Sequence, residues 1–158
     1  MPTRHRGSPK EVQALNAYIN LFRAADSLAA RANARLEAEG LTNGQFGVLE
    51  ALLHLGPLCQ RELGEKLLRT GGNITLVVDN LERDGLVRRE RSQRDRRLVS
   101  VRLTPEGEKL IRKVFPRHAK AITDEMSQLK NAEQLQLRRL CRKLGRGVAE
   151  QSSTGEKT

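Results

Sequence analysis

The sequence is poor in several features that would assign it to common classes of protein. It has no Trp, 3% aromatic residues and two cysteines among 158 residues. Its longest nearly apolar stretch, Val48 to Leu55, contains Glu50 and is far shorter than the ~18 residues of a membrane span. The basic residues 1–9 are followed by no apolar segment, so we expect no secretory signal. These absences predict a cytoplasmic protein that does not span a membrane.

Cysteine and histidine are too sparse to form a ligand pattern. Cys59 and Cys141 cannot build a disulfide framework, which fits a reducing compartment, and Cys141 is expected to pack on the apolar face of the last helix. His5, His54 and His118 have no carboxylate or thiolate at the spacing that metal sites use. We therefore expect neither a metal ion nor a cofactor.

Positive charge, in contrast, is abundant and concentrated. Lys and Arg number 29 against 19 Asp and Glu, which gives a net charge of +10. Residues 85–104 alone hold seven arginines and two acidic residues. Such an excess favours a polyanionic partner, namely DNA, RNA or an acidic membrane surface, but it is also typical of a solvated surface. Charge alone leaves these alternatives open.

Apolar residues recur at intervals of three and four over most of the chain, which predicts a mainly helical fold. One such series predicts a helix over residues 10–39 that ends at Gly40. Thr104 followed by Pro105 is typical of the start of a second long helical region. The sequence thus divides into a disordered basic arm (1–9), a long helix (10–40), a compact domain (41–104), two further long helices (105–148) and a disordered tail (149–158).

The compact domain combines three short predicted helices with a hairpin. Thr42 and Gln45 have the spacing of a capping box at the start of the first helix, and helices over residues 59–68 and 70–84 follow. After Gly85 the apolar period changes to two, which predicts two strands joined by a polar loop. This order of elements is typical of a winged helix-turn-helix. The predicted fold class is therefore mainly α with a small β-hairpin wing.

The third helix of this motif enters the major groove of DNA, whose ~12 Å width admits an α-helix. Glycine there lets backbone N–H groups approach a phosphate, Asn pairs bidentately with adenine, and Thr or Leu touches a thymine methyl. The first turns of the helix supply these residue types as Gly71, Gly72, Asn73, Thr75 and Leu76. The alternative is that the glycines form only a turn and that Asn73 is only a cap.

The hairpin loop carries Arg94, Asp95, Arg96 and Arg97. Arginine on a narrow protrusion suits the minor groove, whose negative potential is enhanced where the groove narrows. A solvated turn is the alternative for the loop alone, but the order of helices before it favours DNA binding. Arg89, on the strand side of the hairpin, is expected to contribute less and more evenly across DNA sequences.

Residues Leu41–Ile111 closely resemble the MarR family of bacterial transcription regulators. The resemblance rests mainly on the wing, with Asp95-Arg96-Arg97 followed by Leu103-Thr104 and Gly107, and on the run ITLVVDNLERDGLV of the third helix. It implies a winged helix-turn-helix with long N- and C-terminal dimerisation helices. It also implies an obligate homodimer that presents two such motifs to a palindromic operator in double-stranded DNA.

The resemblance also implies roles for individual residues. In the family's wing motif an arginine enters the minor groove and an aspartate holds it, and these correspond to Arg97 and Asp95. The family usually has arginines at the positions of Leu76 and Asn80, and this sequence lacks both. The bases read by better-known members therefore do not carry over. Three further residues complete the predicted DNA-binding set: Gln60, Arg61 and Asn80.

Many family members are released from DNA by a small aromatic acid or phenol, and others respond through cysteine oxidation. Tyr18, Phe22 and His54 are candidates for a ligand pocket, although their helical spacing favours core packing. Cys59 stands where a helix N-cap is normally Ser or Thr, and the helix dipole and Arg61 would favour a thiolate there. Cys59 is therefore a candidate redox or electrophile sensor, with a small buried hydrophobe as the alternative.

The sequence thus predicts a homodimeric, sequence-specific DNA-binding regulator, acting as a repressor that a phenolic or aromatic ligand or a thiol-reactive electrophile releases. A regulator without an effector is the alternative within this class. A nucleotide-binding enzyme is disfavoured, because the chain has no Gly-rich phosphate motif with a Lys and no Ser/His/Asp order. An architectural or RNA-binding protein would need aromatic platforms, which the sequence lacks.

Overall fold

Helices and three short strands make up the part of the chain described by a computed structural model, residues 3–67, 71–91 and 99–154. In chain order these elements are α1 (Pro9–Ala38), α2 (Asn43–Leu55), β1 (Leu58–Cys59), α3 (Gln60–Leu67), α4 (Gly71–Arg83), β2 (Val87–Arg91), β3 (Val99–Leu103), α5 (Pro105–Met126) and α6 (Asn131–Thr154). They group into two compact units, residues 1–119 and residues 120–158. A mainly helical chain with a small hairpin confirms the predicted fold class.

Two residues that precede α1, Thr3 and Ser8, form hydrogen bonds with side chains of this helix. The backbone N–H of Thr3 donates to the side-chain oxygen of Asn16 at 2.7 Å, within the segment that was expected to be disordered. Ser8 caps α1, because its hydroxyl accepts from the N–H of Glu11 while the Glu11 carboxylate accepts from the N–H of Ser8 at 2.7 Å. That backbone hydrogen bond lowers the pKa of Glu11, since it stabilises the ionised carboxylate.

The residues that begin and end the helices around the compact domain lie where the sequence predicts them. Thr42 and Gln45 form the predicted capping box at the start of α2. Gly40 follows α1 with φ of 77°, and Gly85 follows α4 with φ of 70°, a backbone conformation that glycine adopts without strain. Both predicted helix ends are therefore confirmed.

The end of α4 is joined directly to the start of α5. The N–H of Leu86 donates to the carbonyl of Leu81 at 2.9 Å, which closes a Schellman motif after α4. The hydroxyl of Thr104 donates to the carbonyl of Gly85 at 2.7 Å, and its backbone N–H donates to the carbonyl of Leu86 at 3.1 Å. The C-terminal end of α4 is thus fixed to the residue that caps α5.

The core of the unit that ends at residue 119 lies among α2, α3, α4, α5 and the sheet. Burying a large aliphatic side chain contributes about 1.5–3 kcal/mol, so this shared core dominates the positioning of α4. Its completely buried side chains are Val48, Leu49, Leu63, Val78, Leu81, Val101 and Ile111.

The sheet has the order β1–β3–β2, and both pairings are antiparallel. β2 and β3 pair from Val87 with Leu103 to Arg91 with Val99, which confirms the two strands predicted for the hairpin. The loop between them falls outside the described residues, and with it the predicted positions of Arg94, Asp95, Arg96 and Arg97.

β1 is an element that the sequence analysis did not predict. It pairs Leu58 with Val101 and Cys59 with Ser100. A strand of two residues is too short to show a period of two, so its existence depends on the neighbouring hairpin. Its consequence is that the start of α3 is held against the wing.

The C-terminal boundary also differs from the prediction. The last helix continues to Thr154, whereas the sequence predicted its end at residue 148 and disorder over residues 149–158. No glycine or proline stands between Gly147 and Gly155, so no helix-breaking residue stops α6 at the predicted point. The boundary is therefore corrected to residue 154.

Candidate nucleic-acid interface

α4 buries one face and exposes another. Ile74 is 2% exposed and Val78 is completely buried, so this side of the helix is fixed in the core. Asn73 and Thr75 are exposed, and the apolar side chain of Leu76 is 61% exposed. The structure therefore brings the candidate base-contacting residues together on the solvent-facing side of α4, as a recognition helix requires.

The two predicted glycines open this helix. α4 begins at Gly71, so Gly71 and Gly72 lie in its first turn, where backbone N–H groups have no partner within the helix. This position suits them for the predicted approach to a phosphate. Asn80 lies two turns further on and is half-buried, so its side chain is less accessible than that of Leu76.

Gln60 links α3 to the exposed face of α4. Its Nε2 donates to the Thr75 hydroxyl at 3.0 Å. Arg61, the next residue, points into solvent with a side chain that is 87% exposed. Its guanidinium pairs with Glu65 at 2.9 Å, and this hydrogen bond raises the pKa of Arg61. The two predicted α3 residues are therefore unlike: Gln60 is an internal contact, and Arg61 is a solvent-facing cation.

Arg89 of β2 is the most highly connected polar residue described near α4. Its guanidinium donates from Nε to Gln60 Oε1 at 2.9 Å, from Nη2 to Asp79 Oδ1 at 2.5 Å and from Nη1 to Glu82. Its backbone N–H donates to the other carboxylate oxygen of Glu82 at 2.9 Å. Burial acts to lower the pKa of Arg89, but the hydrogen bonds to Asp79 and Glu82 outweigh it, so the pKa is raised.

These contacts were not predicted from the sequence, although a signal for them exists. Alternation along β2 puts Val87 and Arg89 on one face and Arg88 on the other. Val87 is 1% exposed, so an arginine two residues further on that face needs partners to compensate for its burial. Asp79 and Glu82, three residues apart on the preceding helix, are the acidic residues within reach.

The other face of the hairpin carries a second, more exposed set of charges. Arg88 and Arg102 lie opposite each other on β2 and β3. Both pair with Glu90, at 2.9 Å and 3.1 Å respectively. The arginines of the described strands are therefore divided between the α4-facing side of the wing and its outer side.

Cys59 lies at the end of β1, directly before α3, as expected for an N-cap residue. Its side chain is half-buried, and its backbone N–H donates to the Glu62 carboxylate at 2.7 Å. This bond, together with an interaction with the Cys59 side chain, lowers the pKa of Glu62. Cys141, which was expected to pack on an apolar face, is exposed on α6.

The candidate pocket residues lie on two helices, Tyr18 and Phe22 on α1 and His54 on α2. The rings of Tyr18 and Phe22 contact each other on α1, with centroids 4.4 Å apart and planes tilted by 36°. The two residues are 58% and 50% exposed, so the expected packing in the core of the chain is wrong for both. His54 packs edge-on against Phe115, with ring centroids 4.8 Å apart. A cavity of about 190 Å³ lies between the end of α1 and α5. It is lined by Arg35, Leu36, Ala38, Glu39, Val114, Arg117 and His118.

A metal site and a membrane span are both absent from the part of the chain that the structure describes. Its His, Cys, Asp and Glu side chains nowhere come together in a group of three or more that could hold a metal ion. None of its helices is both long enough and apolar enough to cross a membrane.

Comparison with known proteins identifies the family. The family model described as the MarR family matches residues 41–99. HTH-type transcriptional regulator MhqR of Bacillus subtilis is 36% identical over 125 residues, which cover 79% of this chain and 86% of that protein. The chain belongs to the MarR family. HTH-type transcriptional repressor MdtR of the same organism is 30% identical over 122 residues, covering 77% of this chain and 76% of MdtR.

Two solved structures with this fold contain bound molecules of different kinds. The S. aureus MepR–DNA complex has a TM-score of 0.75 and 28% identity, over 83% of this chain and 97% of the MepR chain. NadR in complex with 4-hydroxyphenylacetate has a TM-score of 0.68 and 25% identity, over 91% of this chain and 97% of the NadR chain. MepR is thus known with DNA, and NadR with a small aromatic acid.

Proposed function

We propose that this MarR-family protein is a homodimeric, sequence-specific DNA-binding repressor that reads its operator with α4 and with the hairpin loop. The observation that carries this proposal is the exposed face of α4. Asn73, Thr75 and Leu76 project from a helix whose opposite face is locked into the core. Leu76 is 61% exposed on this face, and a thymine methyl in the major groove would cover it. The MepR–DNA complex and the repressor MdtR support DNA binding and repression.

Exposed apolar side chains on two helices support the homodimer. α1 exposes Leu15, Tyr18, Leu21 and Phe22, and α6 exposes Leu135, Leu137, Leu140 and Leu144. Large exposed apolar patches are typical of interaction surfaces, and a symmetric dimer of this chain is the partner that the family implies. The dimer would present two copies of α4 about 10–10.5 bp apart on a palindromic site.

The experiment that tests this function is selection from a random-sequence duplex library with the full-length protein. We expect an inverted repeat to be enriched and to outcompete a scrambled duplex of the same length by about 10³-fold or more. Replacing Asn73 and Leu76 together with Ala should abolish the enrichment, whereas Lys109→Ala on α5 serves as the control. Recovery of no inverted repeat by the unaltered protein would contradict the proposal.

Sedimentation tests the assembly separately from DNA recognition. We expect a dimer mass at micromolar concentration. Leu140→Glu with Leu144→Glu should shift the mass toward a monomer, because each places a charge on the exposed apolar face of α6. A monomer mass for the unaltered chain would remove the dimer and the palindrome argument with it.

A small aromatic acid is the effector class that the structure favours. The cavity between α1 and α5 has Arg35, Arg117 and His118 in its wall, and such side chains suit a carboxylate, which would compete with Glu39 of the same wall for Arg117. NadR, which has the same fold, binds 4-hydroxyphenylacetate. Titrating the protein–operator complex with this compound and with salicylate tests the idea, and Arg117→Gln should weaken any release. Failure of both compounds to release DNA would favour a regulator without this effector class.

The thiol-switch alternative has less structural support. Arg61, expected to favour a thiolate at Cys59, is paired with Glu65, while the carboxylate of Glu62 accepts a hydrogen bond from Cys59. A reactive thiolate is favoured by nearby cations rather than by a nearby carboxylate. The half-buried position of Cys59 beside the wing nevertheless makes it a residue at which an added group would disturb α3.

A further inference from the structure

Arg89 connects three elements of the candidate interface through one guanidinium. It binds Asp79 and Glu82 of α4, and it also binds Gln60 at the start of α3. Gln60 in turn donates to the hydroxyl of Thr75 at 3.0 Å. A continuous set of contacts therefore runs from the hairpin strand through α3 to the exposed face of α4.

The partners of Arg89 are acidic residues on a helix that would approach a polyanion. Asp79 and Glu82 are the two acidic residues of α4, and their side chains are 54% and 39% exposed. Carboxylates without a nearby cation would repel phosphates over a Debye length, about 8 Å at physiological salt. The bonds of Arg89 to both carboxylates place its positive charge between them and offset part of this repulsion.

We propose that Arg89 is a positioning residue of the DNA-binding surface. It holds α4 in register with β2 and α3, and it offsets the charge of Asp79 and Glu82, without itself contacting DNA. This inference rests on the proposed function, because it takes α4 as the helix that meets DNA. It replaces the expectation that Arg89 contributes weakly and evenly across DNA sequences.

The geometry argues against a direct phosphate contact by Arg89. Its side chain is only 24% exposed, and each of its three guanidinium nitrogens already donates to a protein oxygen. An arginine that contacts a phosphate presents free N–H groups to it, commonly two at once. Only two of its five N–H groups remain, one on each of Nη1 and Nη2, and the other N–H groups of these two nitrogens are held by Glu82 and Asp79.

Two substitutions on the same strand separate positioning from charge. Arg89→Met removes the guanidinium but keeps a long side chain. Arg88→Met is the matched control, since it makes the same change of charge one residue earlier, where the side chain is 55% exposed and pairs with Glu90. Binding is measured to the inverted-repeat duplex selected from the library and to a scrambled duplex of equal length.

We expect Arg89→Met to weaken binding to the selected duplex about tenfold or more, with a much smaller effect on the scrambled duplex. Arg88→Met should weaken binding to both duplexes by a similar, small factor, because it alters only the general charge. Equal losses on the two duplexes for Arg89→Met would overturn the proposal, since an even loss is the behaviour of a phosphate contact.

A double-mutant cycle tests whether Arg89→Met weakens DNA binding through the loss of its bonds to Asp79 and Glu82. In a protein that carries Asp79→Asn and Glu82→Gln, adding Arg89→Met should cost less than about threefold in affinity, because the carboxylates it holds are already gone. An undiminished loss in that background would overturn the proposal.

The dependence of DNA affinity on salt concentration distinguishes the loss of a phosphate contact from a general loss of protein stability. Removing one phosphate contact lowers the slope of log affinity against log salt by about 0.9. We expect the slope for Arg89→Met to fall no further than that for Arg88→Met, which makes the same change of net charge, and a further reduction by one contact would overturn the proposal. If Arg89→Met fails to fold, Arg89→Lys replaces it. The lysine variant keeps the charge but cannot bridge three partners, so full affinity for the selected duplex would also overturn the proposal.

The failures of the two proposals are distinguishable. If the unaltered protein selects no inverted repeat, the proposed function fails. If it selects one and the Arg89 variants behave as phosphate-contact variants, only the positioning role fails.

Discussion

A methyl group added to Gly107 would lie 1.9 Å from the backbone carbonyl oxygen of Leu86. That carbonyl also accepts the backbone N–H of Thr104 at 3.1 Å, and the N–H of Gly107 donates to the Thr104 hydroxyl at 3.0 Å. The first turn of α5 and Leu86, the residue that closes the Schellman motif of α4, are therefore in direct backbone contact. This contact fixes how the end of the recognition helix meets a long helix.

Gly107→Ala should destabilise the protein by about 1–3 kcal/mol, because the added methyl group meets a backbone atom that cannot rotate away. Thermal or urea unfolding measures the change. Gly145→Ala on α6 is the matched control: a methyl group there has no atom within 4 Å, so alanine should leave stability unchanged or raise it by about 0.5–1 kcal/mol. Equal effects of the two substitutions would contradict the close contact at Gly107.

Glu39 should make stability dependent on pH. A hydrogen bond from Arg117, opposed by partial burial and aided by Lys113, lowers the pKa of Glu39 below its ordinary value of 4.5. A group whose pKa is lower in the folded state stabilises the fold above the unfolded pKa, and this contribution is lost as pH falls through the folded pKa. Glu39→Gln should therefore be less stable than the unaltered protein at pH 7, with a smaller difference at pH 3. Urea unfolding at both pH values checks this, and a constant difference would contradict it.

Arg97→Ala should weaken operator binding by about 1–3 kcal/mol and reduce discrimination at A·T steps beside the half-sites. The reason is the minor-groove role that the family resemblance assigns to Arg97. The salt slope of the Arg97→Ala variant should fall by about 0.9, in contrast to the smaller change, no larger than that of Arg88→Met, expected for Arg89→Met. Competition titrations at several salt concentrations measure both quantities. Binding like that of the unaltered protein would remove the wing from the interface.

Asn73→Ala should relax the preference at one base position in each half-site, because Asn pairs bidentately with adenine. Repeating the library selection with this variant gives the answer position by position. Asn43→Ala is a useful control, since that asparagine is exposed at the start of α2, outside the recognition helix. An unchanged base preference for Asn73→Ala would leave reading to Leu76 and the wing.

Local chemistry made much of this fold predictable from sequence. Thr42 with Gln45, Gly40 and Gly85 act within a few residues of themselves, so their capping and stopping roles are visible in the sequence alone. The two hairpin strands were predicted for the same reason, since alternation is a local pattern. β1 was not, because two residues carry no period and pair only after the hairpin has formed.

The contacts of the candidate site depend on distances along the chain that sequence patterns do not encode. Gln60 and Arg89 are 29 residues apart, and their hydrogen bond exists only because α3 and β2 pack beside the same helix. The cavity residues show the same limit. No local motif marks Arg35 and Arg117 as cavity residues. Tyr18 and Phe22 were predicted as pocket residues instead, because aromatic residues are rare in this chain.

The last prediction concerns Cys59. Addition of its thiol to a quinone would form a C–S bond while a ring C=C π bond breaks and the thiol proton passes to the ring, which becomes a hydroquinone. The added ring would insert bulk at the N-cap of α3 beside Gln60, which contacts Thr75 of α4. Operator binding should then fall without any ligand in the cavity between α1 and α5. Cys59→Ser should keep DNA affinity, because a hydroxyl is a good N-cap and Glu62 can still accept from the backbone N–H of residue 59, and it should abolish the response.

Operator binding of both proteins before and after quinone treatment tests this, with Cys141→Ser as the control. Cys141 is exposed on α6, so it reports reaction at a thiol away from the recognition helix, and its loss should leave the response intact. Because the carboxylate of Glu62 lies beside Cys59, we expect the reaction of Cys59 with the quinone to be slow. Both the rate and the final extent of operator release should therefore be measured. Equal release of the unaltered protein and Cys59→Ser would exclude the thiol switch and leave the cationic cavity near Arg117 as the site through which DNA binding is controlled.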